Sequence, residues 1–236
     1  MQPGKKPRAL DRARFAANWR AVGASHDNAS AWLADRYAEE HRAYHDAEHI
    51  AECLAWFDRV RDLAERPAEL EVALFFHDAI YDALASDNET RSAEKLRQLA
   101  REAGVPAEAV ERIAGLIEST ATHDARTGDA ALLCDIDLAI LGASPARYAR
   151  YEREVRREYA AITEASYRKG RVQVLRGFLE RVEIYRTPRL AARLEAQARD
   201  NLSSALSALE QSEEGGEHVR IHQDEAAGLG PSPQGT

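Results

Sequence analysis

Val72-Ala73-Leu74-Phe75-Phe76-His77-Asp78 is the most telling stretch of this 236-residue chain. Five apolar residues run without a break into a histidine and an aspartate. Pro67 suits the first turn of a helix carrying them. A charged Asp78 in that setting costs several kcal/mol of desolvation unless it is paired or coordinated. Asp137 poses the same problem, because Leu132, Leu133, Ile136, Leu138, Ile140 and Leu141 surround it in sequence. A divalent cation resolves both, since it accepts neutral imidazoles and carboxylates and compensates their burial. The plainer alternative is a His-Asp pair that caps a helix, with Asp137 on a solvated face.

Helical spacing extends outward in both directions. Leu10, Phe15, Trp19 and Val22 mark a first helix. Asp27 or Asn28 opens a second, with Trp32, Leu33 and Tyr37. A third starts around Asp46 to His49 and runs through Ile50, Cys53, Leu54, Phe57 and Val60. Asp87 or Asn88 opens a helix ended by Gly104, and Pro106 starts the next. Residues 130–141 make another, closed by Gly142. Ser144-Pro145 begins a long helix expected to reach Ile162. Val174, Leu175 and Phe178 mark a segment reaching Ile184, and a last helix runs from Pro188 to Leu209. No strand is expected. The fold class is all-α, a compact helical bundle over residues 9–210. Residues 1–8 read as a flexible terminus. Residues 211–236 read as a disordered acidic tail, with too few large apolar residues to offset their ordering entropy.

Composition agrees and excludes several functions. Only 7% of residues are aromatic, with 13 Gly and 8 Pro, which argues against a β-sandwich. The net charge is −8, and residues 211–236 carry half of it. No basic block exists, so binding to a nucleic acid duplex is not expected. No long apolar run suggests a membrane span, and no apolar stretch follows the basic start as a secretory signal would require. The two cysteines, Cys53 and Cys134, fall in apolar helical patterns and read as buried thiols of a cytoplasmic protein.

Four motifs in order carry a resemblance. They are Tyr44-His45-Asp46-Ala47-Glu48-His49-Ile50, Phe76-His77-Asp78-Ala79-Ile80-Tyr81-Asp82, Asp87-Asn88-Glu89-Thr90-Arg91-Ser92-Ala93 and Asp135-Ile136-Asp137-Leu138-Ala139-Ile140-Leu141-Gly142. From Arg42 to Gly142 the chain resembles the HD-domain superfamily of metal-dependent phosphohydrolases. That superfamily is defined by a His, a His-Asp doublet and a distal Asp around one metal. Stretches 148–185 and 198–206 are similar to a bacterial subfamily known only as predicted HD phosphohydrolases. The resemblance implies an HD-type bundle with His49, His77, Asp78 and Asp137 as metal ligands. Asp135 is the alternative to Asp137; two residues apart on a helix, both cannot face one ion. The ion would be Mn²⁺, Co²⁺, Ni²⁺, Fe²⁺, Zn²⁺ or Mg²⁺.

Other roles follow from the same likeness. Cyclic-nucleotide phosphodiesterases, an HD-related group, carry Tyr-His-Asn-x-x-His. Their first His donates a proton to the leaving oxygen. That implies His45 as general acid, with a non-catalytic neighbour of the site as its alternative and Asp46 in place of Asn. His45 and His49 share a face if their segment is helical. Asp78, or a carboxylate near it, is expected to steer the attacking water. His123 is expected to contact phosphate or hold a second metal, or else to be a surface helix-end residue. Arg42, Lys95, Arg156 and Arg171 are candidate phosphate clamps, with Arg171 preferred. Asp82, Asn88 and Glu89 form a candidate polar rim. The expected function is hydrolysis of a nucleotide or other small phosphoester. An HD-fold di-iron oxygenase and a non-catalytic nucleotide-binding module are the alternatives. Oligomeric state stays open.

Overall fold

The structure, a computed structural model, describes residues 9–227. Ten α-helices make up the fold, and no strand occurs among the described residues. They are α1 (Arg12–Ala21), α2 (Ser30–Arg36), α3 (Ala47–Val60), α4 (Pro67–Phe76), α5 (Asn88–Glu102), α6 (Ala107–Ser119), α7 (Gly128–Asp137), α8 (Pro145–Glu158), α9 (Glu164–Glu180) and α10 (Pro188–Ala227). None is long and apolar enough to cross a membrane.

α4 is the axis of the molecule. Every residue from Leu70 to Phe76 is buried. α1, α3, α5, α6 and α7 all pack on it. Phe15 of α1 meets Phe75 edge-on at 5.3 Å, and Trp19 and Trp32 cover Phe76. The surrounded part of this helix has no solvated face for charge, so its buried acid, Glu71, needs partners. Glu71 accepts from Arg14, Arg61 and the Asn18 amide. The Tyr37 hydroxyl donates to the Phe75 carbonyl at 2.9 Å, satisfying one acceptor near the helix end. Beyond Phe76 the chain leaves the helix, and it does so at His77-Asp78.

α7 ends at Asp137 and passes into a 3₁₀ turn, Leu138–Gly142. α10 locks this turn in place. Asn201 Nδ2 donates to the Leu141 and Ala143 carbonyls, and the Tyr185 hydroxyl donates to the Leu138 carbonyl. The sequence reading carries one helix through residues 130–141. The structure breaks it just after Asp137, which turns that side chain at a helix end.

Two further differences matter. α8 stops at Glu158 instead of Ile162, because Arg156 donates to the Tyr159 and Ile162 carbonyls and satisfies the acceptors freed there. α9 then starts six residues on, with Thr163 Oγ1 accepting from Ser166 N. α10 does not end at Leu209 but continues to Ala227, so the backbone of residues 211–227 is helical where the sequence reading expects disorder. No proline falls between Pro188 and Ala227, so no helix N–H is missing along this stretch, although Gly215 and Gly216 each cost it about 1 kcal/mol relative to Ala. Residues 1–8 and 228–236, also expected to be without structure, lie outside the described residues.

The fit of α10 against the turn yields a test. A methyl group on Gly142 would stand 2.7 Å from Leu194 Cβ and 2.8 Å from the Leu194 carbonyl oxygen. Gly142→Ala is expected to cost about 1–3 kcal/mol, because backbone must move to relieve it. Thermal unfolding should show a Tm lower by several degrees, and an unchanged Tm would refute the close approach.

Candidate metal centre

Three helix ends converge on one point. Asp46 caps α3 by accepting from Glu48 N at 2.7 Å and His49 N at 3.4 Å, which fixes His49 in the first turn, facing inward. His77 and Asp78 follow the last turn of α4, and Asp137 closes α7. The C-terminal ends of two helices carry partial negative charge, which favours a cation beside them.

The four side chains bring one ligand atom each to within 4.8 Å of one another. His49 Nε2 lies 3.1 Å from His77 Nε2 and 3.1 Å from Asp137 Oδ1. His77 Nε2 lies 3.1 Å from Asp78 Oδ2 and 3.4 Å from Asp137 Oδ1. Ligands about 2.1 Å from a first-row metal stand roughly 3.0–3.4 Å apart, so these spacings suit such an ion. The hydrogen-bond chemistry agrees. His77 Nδ1 sits 2.9 Å from the Leu74 carbonyl, to which it donates. Its Nε2 therefore presents a lone pair, as a ligating imidazole does.

Electrostatics make the demand explicit. Burial pushes the Asp78 and Asp137 carboxyls up, yet the imidazoles, His77 foremost, hold both well below the usual carboxylate range. Burial disfavours charge on His49 and His77, yet the surrounding acidic groups raise both well above the usual imidazole range. Two anions thus require positive charge among them. Protons on two imidazoles whose Nε2 atoms face each other at 3.1 Å supply it poorly; one divalent ion supplies it well. The histidines are buried, whereas each carboxylate keeps 15% of its side chain accessible. That accessible edge leaves room for further oxygen ligands.

Asp135 goes elsewhere. Its carboxylate accepts from the backbone N–H groups of Arg186 and Thr187, holding the start of α10. His123 Nε2 lies 2.7 Å from Asp137 Oδ2, the oxygen turned away from the cluster. His123 has φ of +49°, and no other non-glycine among the described residues has a positive φ. That conformation costs on the order of 1 kcal/mol or more and persists only where the surroundings impose it. Arg181 imposes it, donating to the His123 and Thr122 carbonyls.

A cavity of about 530 Å³ opens over Asp137, His45 and His123. The i, i+4 helical premise for His45 is not met, because His45 precedes the Asp46 cap. Its ring nevertheless lies 5.9 Å from that of His49, stacked on Tyr81 at 4.2 Å. Glu158, which sequence reasoning missed, holds it. Glu158 Oε2 lies 2.7 Å from His45 Nδ1 and accepts from the Tyr81 hydroxyl. Glu158 Oε1 accepts from the backbone N–H groups of Ala43, Tyr44 and His45. Burial opposes its charge, but His45 and these N–H donors overcome that and bring its pKa to about 2. No local signal marks Glu158, because its partners lie 77 to 115 positions away.

Of the candidate clamps, only Arg171 lines the cavity, and Glu152 binds it bidentately at 2.7 and 3.0 Å. Arg42 is buried and donates to the His45, Asp78 and Ala79 carbonyls, tying the His45 segment to the doublet. Lys95 packs on Trp32, and Arg156 serves the end of α8. Asp82, Asn88 and Glu89 line the cavity as expected of a rim. Asp124 faces Arg126 and Arg186, each at 3.8 Å, and joins no metal cluster. Comparison with protein-family models, curated proteins and solved structures finds no match to this chain.

Two expectations follow. Asp78→Ala and Asp137→Asn should abolish metal binding measured by elemental analysis. Asp135→Asn should keep the metal and cost about 1–2 kcal/mol, because two backbone donors lose a charged acceptor; the reverse order would exchange the two aspartates. Glu158 gives a pH signature. Its folded pKa of about 2 lies below its ordinary 4.5, so its contribution is complete above pH 4.5 and is lost as pH falls toward 2. The depression corresponds to roughly 3 kcal/mol. Urea midpoints of the wild type and Glu158→Gln should therefore differ at pH 7 and converge toward pH 2–3.

Proposed function

We propose that this chain is an HD-type metal-dependent phosphohydrolase acting on a nucleotide or other small phosphoester. The observation that carries the reading is the convergence of four lone-pair donors, one of which, Asp137, reaches the lining of a cavity that His45 also lines. His49, His77, Asp78 and Asp137 would hold the ion. When bound, the ion supplies Lewis acidity toward a phosphoryl oxygen and lowers the pKa of water. Every other element of the reaction belongs to the side chains.

His45 is the general acid of this scheme. Glu158 engages Nδ1 and fixes the ring, leaving Nε2 for the departing oxygen. The Tyr81 ring stacked on the imidazole limits its rotation. The carboxylate of Asp78 orients the attacking water through the oxygen not directed into the cluster. His123, held by Arg181, is placed to steady Asp137 and to donate toward a phosphate in the cavity. Purified protein should contain a divalent metal and release phosphate from small phosphoesters when supplied with Mn²⁺, Co²⁺, Ni²⁺, Fe²⁺, Zn²⁺ or Mg²⁺. A di-iron oxygenase needs a second ligand set, and the described residues form one such cluster only. Oxygen uptake without phosphate release would favour that reading all the same.

The role of His45 has its own signature. General-acid help contributes on the order of 10²–10⁴ in rate. It matters for a poor leaving group such as a ribose alkoxide and little for a nitrophenolate. His45→Ala should therefore cripple an alkyl phosphoester far more than an activated aryl phosphate, with metal content unchanged. Loss of metal would make it a ligand; equal loss on both substrates with the metal retained would make it a positioning residue.

A further inference from the structure

The cavity above the cluster has an uneven distribution of charge. Its foot carries His45, His123 and Asp137. Its far wall is apolar and aromatic, built from Tyr151, Tyr159, Ile162, Tyr167, Val174 and Phe178. Val174 is 46% exposed, so the wall shows apolar surface that nothing among the described residues covers. Arg171 is the single Lys or Arg among the described lining residues. It is buried, and Glu152 neutralises it through two hydrogen bonds. Asp82 and Glu89 stand at the mouth. Beyond the foot, therefore, the formal charge around the cavity is negative.

We infer that this cavity selects a phosphoester carrying one phosphate and a planar apolar group, and rejects molecules with a second anionic group. The inference rests on the phosphohydrolase reading for the identity of the headgroup. The phosphate belongs at the foot, where the ion and two imidazoles can meet its charge. The remainder must then lie along the wall. A ring buries apolar area there and finds tyrosine rings to pack on. A second phosphate or a carboxylate would share the cavity with the Asp82 and Glu89 carboxylates, with no unspent guanidinium or ammonium among the described lining residues to meet it. Sites that hold di- and triphosphates need such cations. Like charges facing each other select against the wrong ligand. The same arrangement gives the Arg171–Glu152 pair a specificity role: it removes the one cation that could accept a second anion.

Phosphonates test this without depending on turnover, because their C–P bond is not the bond a phosphohydrolase cleaves. The full chain, loaded with Mn²⁺, is titrated by calorimetry with methylphosphonate, phenylphosphonate and 4-carboxyphenylphosphonate. Phenylphosphonate should bind at least tenfold tighter than methylphosphonate. The carboxylated compound should bind at least fivefold weaker than phenylphosphonate. Val174→Ser should narrow the phenyl-over-methyl ratio, and Asp82→Asn combined with Glu89→Gln should narrow the penalty for the carboxylate. Equal affinities for all three, tightest binding of the carboxylated compound, or no binding of any would each overturn the inference. Phosphate release from phosphoesters is measured separately. If phosphonates rank as expected and no phosphoester is hydrolysed, the proposed reaction fails while the pocket's selectivity stands.

Discussion

Two carboxylates and two imidazoles cannot share a space less than 5 Å across inside an apolar core without positive charge among them. That constraint organises the rest of the structure. Asp78 and Asp137 are driven there by helices that have little polar surface to offer instead. The histidines meet them because a capped helix start and a buried helix end point at the same place. The apolar packing around α4 makes the site rigid, and the site explains why the packing ends where it does.

Three of the four cluster residues stood out in the sequence for a physical reason, and His49 through the family resemblance. His77, Asp78 and Asp137 each lie in an apolar run where a polar group has no ordinary place. The helical angle between Asp135 and Asp137 showed that both could not face one ion, the choice of Asp137 came from the family resemblance, and the structure shows the two turned to different partners. The all-α class was legible because caps and breakers, such as Pro67, Gly104 and Pro145, bracket apolar periods of helical length.

What was not legible depended on distant partners or on termination. Glu158 falls inside the helix expected to reach Ile162 with nothing to single it out, yet its carboxylate is buried against three N–H groups of another segment. The reading of residues 159–162 as helix failed because nothing in their composition forbids a helix; a guanidinium captures their carbonyls instead. Arg42 looked like a phosphate ligand and proved to be a brace. Its two Nη groups donate to three backbone carbonyls and its Nε to Glu39, a role no residue pattern announces. Helix α10 illustrates the converse, since its extension past Leu209 needs no new packing signal once the docked part has nucleated it.

The two halves of the site rest on cores of different size. His49, His77 and Asp137 hang from the main hydrophobic cluster that α4 anchors. Glu158 and the His45 segment meet across a satellite cluster of Tyr44, Val155 and Tyr167, joined by a few partly buried side chains. Small clusters open at lower free energy than the global fold. Excursions in which α8 and the start of α9 lift away would therefore loosen the His45 segment while His49, His77, Asp78 and Asp137 stay anchored to the larger cluster. On the proposed reading, an ion would then stay bound while the proton donor is lost, and mild denaturant, heat or a mutation in the satellite cluster would bring out that uncoupling first.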